Sequence, residues 1–121
     1  MGRHREATSS VSLHIQEILR LMGLYNFRGR EVTEFLERND FLIPLLFEAH
    51  GEIKDRFGSA VLFLEVIADP EAADDRELYA LVATHLPPEA ALEKLERLDK
   101  EWWLAAMDRA QCKLCIDVEF P

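Results

Sequence analysis

The sequence predicts an α+β domain: a three-stranded antiparallel sheet in the order 2-1-3, a split βαβ unit with one long crossover helix, preceded by two to three shorter helices. Three observations carry this reading. Leu92, Leu95, Leu98, Trp102 and Ala106 recur at steps of three and four, the stripe of a buried helix. Two short runs, Ala60–Ala68 and Glu77–Thr84, are dense in β-branched and aromatic residues, as strands should be. Lys113–Phe120 alternates strictly, with Leu114, Ile116, Val118 and Phe120 on one side and Cys115, Asp117 and Glu119 on the other.

Taken in order, residues 1 to 8 read as a disordered basic arm and residues 9 to 121 as a single domain. Thr8, Ser9 or Ser10 caps a first helix with Val11, Ile15, Ile18, Leu19 and Met22 inward, ending at Gly23. A loop over Leu24–Gly29 leads to a short helix, Arg30–Arg38, facing inward with Val32, Phe35 and Leu36. A third helix runs from Phe41 or Pro44 to Phe57, before Gly58. Ala60–Ala68 is nearly apolar on both faces, so it is expected at the sheet centre, covered on two sides. Asp69–Arg76 reads as a polar loop. Pro87 and Pro88 then open the Leu86–Ala106 helix, where a fixed φ fits the first turn. Asp117 and Glu119 suit an edge strand, which favours pairing the last strand with the first. Trp102 is expected in the core and Trp103, about 100° round the helix, at its border.

Charge narrows the function classes. The net charge of −9 divides into +3 over residues 1 to 30 and −12 over the rest. An acidic body repels phosphates, so nucleic acid is not expected on it, whereas a basic protein partner is well matched. Two cysteines exclude a disulfide-built scaffold and fit the cytoplasm. Met1–Ser10 is too polar for a signal peptide, and no apolar run approaches the roughly 18 residues of a membrane span.

No complete catalytic motif is present. Cys112-Lys-Leu-Cys115 has zinc half-site spacing, but lacks a second pair and enters a strand, so buried structural thiols are the simpler reading. The Asp69–Asp75 acids could meet a hard cation, yet lack the glycine and terminal acid of a calcium loop. Glu65 is a lone carboxylate in an apolar strand. If the last strand lies alongside, Glu65, Asp117 and Glu119 form a cluster fit for Mg²⁺ or Mn²⁺; otherwise Glu65 pairs with an arginine from the helical half. His50 reads as a hydrogen-bonded boundary residue, and His85 as lying at a cleft mouth without a nucleophile beside it. Trp103, with Glu101 next to it, is the candidate anchor for a partner.

The strings Ile67-Ala-Asp-Pro-Glu71, Glu77-Leu-Tyr-Ala-Leu-Val-Ala-Thr84, Leu86-Pro-Pro-Glu-Ala-Ala-Leu92, Asp99-Lys-Glu-Trp-Trp103 and Leu114-Cys-Ile-Asp-Val-Glu119 resemble a family of small uncharacterised prokaryotic proteins associated with toxin–antitoxin-type loci. That resemblance covers the C-terminal half to two-thirds of the chain and implies an accessory protein that neutralises or steers a partner. It transfers no catalytic residue. The resulting expectation is a non-enzymatic interaction or regulatory module, alone or as a homodimer, that binds a basic protein. The alternative is a divalent-metal protein or enzyme built on the carboxylate cluster. A further alternative is a nucleic-acid regulator acting through the basic N-terminal helices.

Overall fold

The computed structural model describes residues 14–69 and 71–121; the N-terminal arm and the capping residues Thr8, Ser9 and Ser10 lie outside the described residues. Helix α1 occupies 14–24, followed by β1 (Asn26–Arg28), α2 (Glu31–Arg38), α3 (Leu42–Phe57), β2 (Val61–Asp69) and β3 (Ala72–Ala83). Then come α4 (Pro88–Leu98), a π turn (Asp99–Trp103), the short α5 (Leu104–Ala106), a 3-10 turn (Met107–Ala110) and β4 (Leu114–Glu119).

The class is α+β, but the sheet corrects the expected topology. It has four strands in the order β1-β2-β3-β4 and is mixed: β1 runs parallel to β2, β2 antiparallel to β3, and β3 parallel to β4. The last strand therefore pairs with β3, not with β2. The reason is that β1, inside the segment that reads as a loop, already occupies the free edge of β2. Its pairs are Asn26 with Phe63, Phe27 with Leu64 and Arg28 with Glu65, and Asn26 Nδ2 also donates to the Leu62 carbonyl at 3.2 Å. Three residues, two of them polar, leave no alternation to read.

The expected Asp69–Arg76 loop is also mostly strand. Ala68 pairs with Arg76 and Asp69 with Ala72, so residues 73–75 form a bulge in β3 next to a tight connection.

One face of this sheet makes the core. Leu62, Leu64, Leu78, Ala80, Val82, Leu114 and Ile116 alternate to the same side and are buried. Against them pack Ile18, Leu21, Leu36, Leu45, Leu46, Ala49, Ile53 and Leu98 from the helices. Burial of one such leucine is worth roughly 1.5–3 kcal/mol, which is why packing and not exposed pairs such as Glu96–Lys100 holds the helices in place. Among the described residues the opposite face carries no helix. Its residues, Phe63, Glu65, Tyr79, Leu81, Cys115 and Glu119 among them, are half-exposed, so β2 is covered on one side and not two.

This arrangement has a topological consequence. The parallel steps β1 to β2 and β3 to β4 advance in the same direction across the sheet, while their strands point opposite ways. Two crossovers of one hand would put their helices on opposite faces. With every helix of the described residues on the same face, the two crossovers differ in hand, and one departs from the strong right-handed preference.

Local chemistry explains the helices. In α1 the inward residues are Ile18 and Leu21, followed by Tyr25, whereas Ile15, Leu19 and Met22 of the expected stripe are 46%, 58% and 44% exposed. Tyr25 is buried and donates its hydroxyl to the Leu46 carbonyl at 2.7 Å, with His50 edge-on to its ring at 6.0 Å. Burial pushes the Tyr25 hydroxyl pKa far up and, with Lys54 nearby, that of His50 down. Helix α3 ends at Gly58, whose φ of 69° only glycine adopts without strain.

The crossover helix departs from its periodic pattern in one place. Leu104 N–H donates to Asp99 O, five residues back, which makes Asp99–Trp103 a π turn. One extra residue in that turn rotates everything after it by about 100°. The buried series is therefore Ala91, Leu98, Trp103, Ala106 and Ala110, with a step of five between Leu98 and Trp103. Trp103 is 7% exposed and Trp102 half-buried, the reverse of the expected assignment, while Leu92 of the expected stripe is 53% exposed.

Urea unfolding checks this phase. Trp103→Ala is expected to cost about 3–5 kcal/mol as a large-to-small core change, and Trp102→Ala clearly less. Equal losses would place both rings in the core and refute the rotation. Tyr25→Phe should cost about 1 kcal/mol, the net worth of one buried hydrogen bond, measured in the same way.

Candidate functional site

The open face of the sheet is where chemistry-bearing side chains gather. At its centre Arg28 acts as a clasp. Because β1 lies beside β2 in parallel register, Arg28 is opposite Glu65 and its side chain rises on the uncovered face. Its guanidinium stacks on Phe63, 3.9 Å from the ring centroid, and donates from Nη1 to Glu65 Oε1 at 3.2 Å. It also grips Glu119 of β4 with both forks, at 2.7 Å to Oε1 and 2.6 Å to Oε2. A planar fork meeting a carboxylate in this way is the strong form of ion pair. The Arg28 hydrogen bond holds the Glu119 carboxyl below its usual range, and the same bond raises the Arg28 pKa.

The three carboxylates expected to converge divide unequally. Glu65 and Glu119 do meet, through Arg28. Asp117 is exposed and accepts from its neighbour's backbone, Val118 N–H, at 2.8 Å. The positive charge between Glu65 and Glu119 is a guanidinium, which fills the position a divalent cation would take, and among the described residues no group of three potential ligands converges on a metal position. Glu65 does pair with an arginine, but that arginine comes from strand β1 and not from the helices.

Beyond the clasp, toward β4, the face turns acidic around Cys115. Burial first, then the charges of Glu77, Asp117 and Asp99, push the Cys115 thiol up to about 11. Glu77 is itself raised by burial and by Asp75, and Asp99, on the π turn, by burial and by Asp117 and Glu96. Among the described residues none of Glu77, Asp99 and Asp117 holds a salt bridge, although the charge of Lys113 acts on Glu77 and partly offsets it. A thiol with a raised pKa is a poor nucleophile and a poor metal ligand. Cys112 is exposed in a left-handed turn, with φ of 51° at Gln111 and 62° at Cys112, and Cys115 is half-buried in β4.

The expected anchor residues both make contacts within the fold. Trp103 is core, and Trp102 lies against it at 5.6 Å between ring centroids. Glu101 accepts from Arg56 Nε at 3.0 Å and lies 3.8 Å from Arg97, fastening the π turn to α3. His85 does line a cavity of about 350 Å³, with Ser59 and Thr84. Among the described residues no hydrogen bond or ion pair ties it to a carboxylate or hydroxyl, so no catalytic pair forms there. Of the N-terminal arginines, Arg20 stacks on Phe47 at 5.2 Å and Arg28 is committed to the clasp; Arg3 and Arg5 lie outside the described residues. No helix among the described residues is long and apolar enough to cross a membrane.

Phe63, Tyr79 and Leu81 are what sequence reasoning missed. They occupy alternate positions in the two central strands, and a one-sided covering of the sheet is what turns them outward. Together they define a class of molecule, a two-layer α+β domain with an uncovered, acid-rimmed sheet. Comparison of the chain with protein-family models, curated proteins and solved structures found no match.

The clasp has a sign that pH can test. A carboxyl whose folded pKa is depressed contributes stability above its unfolded pKa and loses it as pH falls through the folded value. In a double-mutant cycle of Arg28→Met and Glu119→Gln, the coupling is expected to be about 1 kcal/mol at neutral pH and to fade in acid below the ordinary carboxylate range. A coupling that grows in acid would contradict the assignment. Calorimetric titration with Mg²⁺ or Mn²⁺ is expected to give no heat of binding, and binding abolished by Glu65→Gln would restore the metal reading.

Proposed function

We propose that this chain is a non-enzymatic interaction module of the cytoplasm whose open sheet face engages a basic protein partner. The observation that carries the reading is the coincidence on one face of an apolar centre and an acidic rim that forms no salt bridge among the described residues. Phe63, Tyr79 and Leu81 are half-exposed on adjacent central strands, and Glu77, Asp99 and Asp117 border them. Apolar area supplies affinity, while a rim of one charge sign selects and steers a partner of the other. The Arg28 clasp helps by holding the Phe63 side of the face in one geometry before contact, which reduces the ordering cost of binding. A net charge of −9 repels nucleic acid, and the resemblance to partner-steering proteins of toxin–antitoxin-type loci agrees with an acidic neutraliser.

The test is affinity capture from the native cell with wild type, Leu81→Arg and Asp117→Lys, followed by cross-linking of the captured complex. The expected result is one partner whose cross-linked surface is rich in Lys and Arg, lost with both variants while their far-UV circular dichroism stays native. Retention by both variants would show that another surface binds and would overturn the proposal. So would a homodimer sealed through this face, or turnover of a phosphodiester, nucleotide or peptide substrate that Glu65→Gln removes.

A further inference from the structure

A second feature lies on the helical side, at the far end of α2, independent of the open face. There a cavity of about 170 Å³ is enclosed between α2 and the ends of β2, β3 and β4. Its floor is apolar, from Phe35 and Val66. Its walls are not: Arg38 at the end of α2, Arg76 on β3 and Lys113 just before β4 bring three cations from three elements to one cavity.

Acidic residues outnumber basic ones 23 to 14, so three cations around one cavity stand out in this chain. Among the described residues Arg38, Arg76 and Lys113 have no carboxylate within 4.0 Å, a state they share with Arg20, Arg30, Lys54 and Lys94, and the charge of Lys113 also acts on Glu77. Nor is acid absent. Glu31 and Glu34 line the same cavity, and Glu34 stands in the acid-first spacing of four from Arg38 that ordinarily forms a bond. Glu34 and Arg38 nevertheless do not close to within 4.0 Å. Along α2 the separation follows from helical rise, since Glu31 and Arg38 are seven residues and about 10 Å apart on one helix face. Glu31 is turned toward the N-terminal end, its carboxylate lying where a Cβ on Gly29 would stand.

A cavity lined by both signs of charge beside Phe35 and Val66, with Glu31 and Arg38 about 10 Å apart along α2, complements a small molecule that carries both charges. We propose that it binds a compact zwitterion, with a phosphate or carboxylate held by Arg38, Arg76 and Lys113 and an ammonium facing Glu31 and Glu34. Asn39, at the rim, has its side chain engaged with the Phe35 carbonyl at 2.9 Å, which fixes the turn that ends this wall. The cations confer affinity for any anion; the glutamates penalise a bare anion and favour one carrying its own positive charge.

Isothermal calorimetry on the full chain, with phosphoethanolamine, inorganic phosphate and ethanolamine as probes, tests this. Phosphoethanolamine is expected to bind most tightly, inorganic phosphate more weakly, and ethanolamine not at all. Arg76→Gln and Arg38→Gln should each weaken phosphoethanolamine by about tenfold, the worth of a charge-assisted hydrogen bond. Lys94→Gln, which removes a cation from α4 outside the cavity, should leave binding unchanged. Glu34→Gln should narrow the difference between phosphoethanolamine and inorganic phosphate. Inorganic phosphate binding as tightly as phosphoethanolamine to the wild type would overturn the zwitterion assignment. Equal weakening by Lys94→Gln and Arg76→Gln would reduce the cleft to diffuse charge attraction, and no binding of any probe would remove the site.

Discussion

Leu62, Leu64, Leu78, Ala80, Val82, Leu114 and Ile116 all lie on one side of the sheet, and the helices are arranged to keep water from that side. A strand alternates its side chains by geometry, so a sheet with one such face has an opposite face of whatever residues remain. Here those residues are mixed: aromatic and aliphatic near the middle, charged toward the β4 edge. Once all the helices are committed to the core face, the open face is left for solvent or for a partner. The unequal hands of the two crossovers follow from the same demand, since placing every helix on the apolar side outweighs the local preference of a crossover for one hand.

The open face is held in shape by a long-range contact. Arg28 joins a carboxylate 37 residues away and another 91 residues away, bracing the first strand against the last across the two between. Its ion pairs are about a third exposed, so solvent screens them and their contribution to stability is modest. Their larger effect is geometric. A guanidinium fixed by two carboxylates and an aromatic ring cannot wander, and the surface around it is ordered in advance. The same organisation argues against metal chemistry at Glu65, because the site's negative charge is already neutralised by a side chain of the chain itself.

Much of this was legible in advance for simple reasons. Alternation located β4 and gave both its faces, because a period of two survives whatever the strand pairs with. Helix α3 and its end at Gly58 followed from local rules as well. The parity of Glu65 and Glu119 placed them where they could meet. What bridged them was hidden, since Arg28 sits in a strand of three residues with no pattern, and it is that strand which blocks the β2 edge and sends β4 to β3 instead. The tryptophans show the same limit at finer scale. A period of 3.6 extrapolated through Leu98 chooses Trp102, whereas one π turn chooses Trp103, and the sequence carries no mark of the extra residue.

The amino-acid sequence by itself determined the class, the main helices and strands, the acidic character and the absence of a complete catalytic motif, because all of these rest on composition and short-range periodicity. Tertiary structure alone decided the strand order, the single covered face, which tryptophan is buried, the Arg28 clasp and the cleft of Arg38, Arg76 and Lys113. Each of these depends on contacts between residues far apart in the chain, and such contacts are selected by the packing of the whole, not by any local preference.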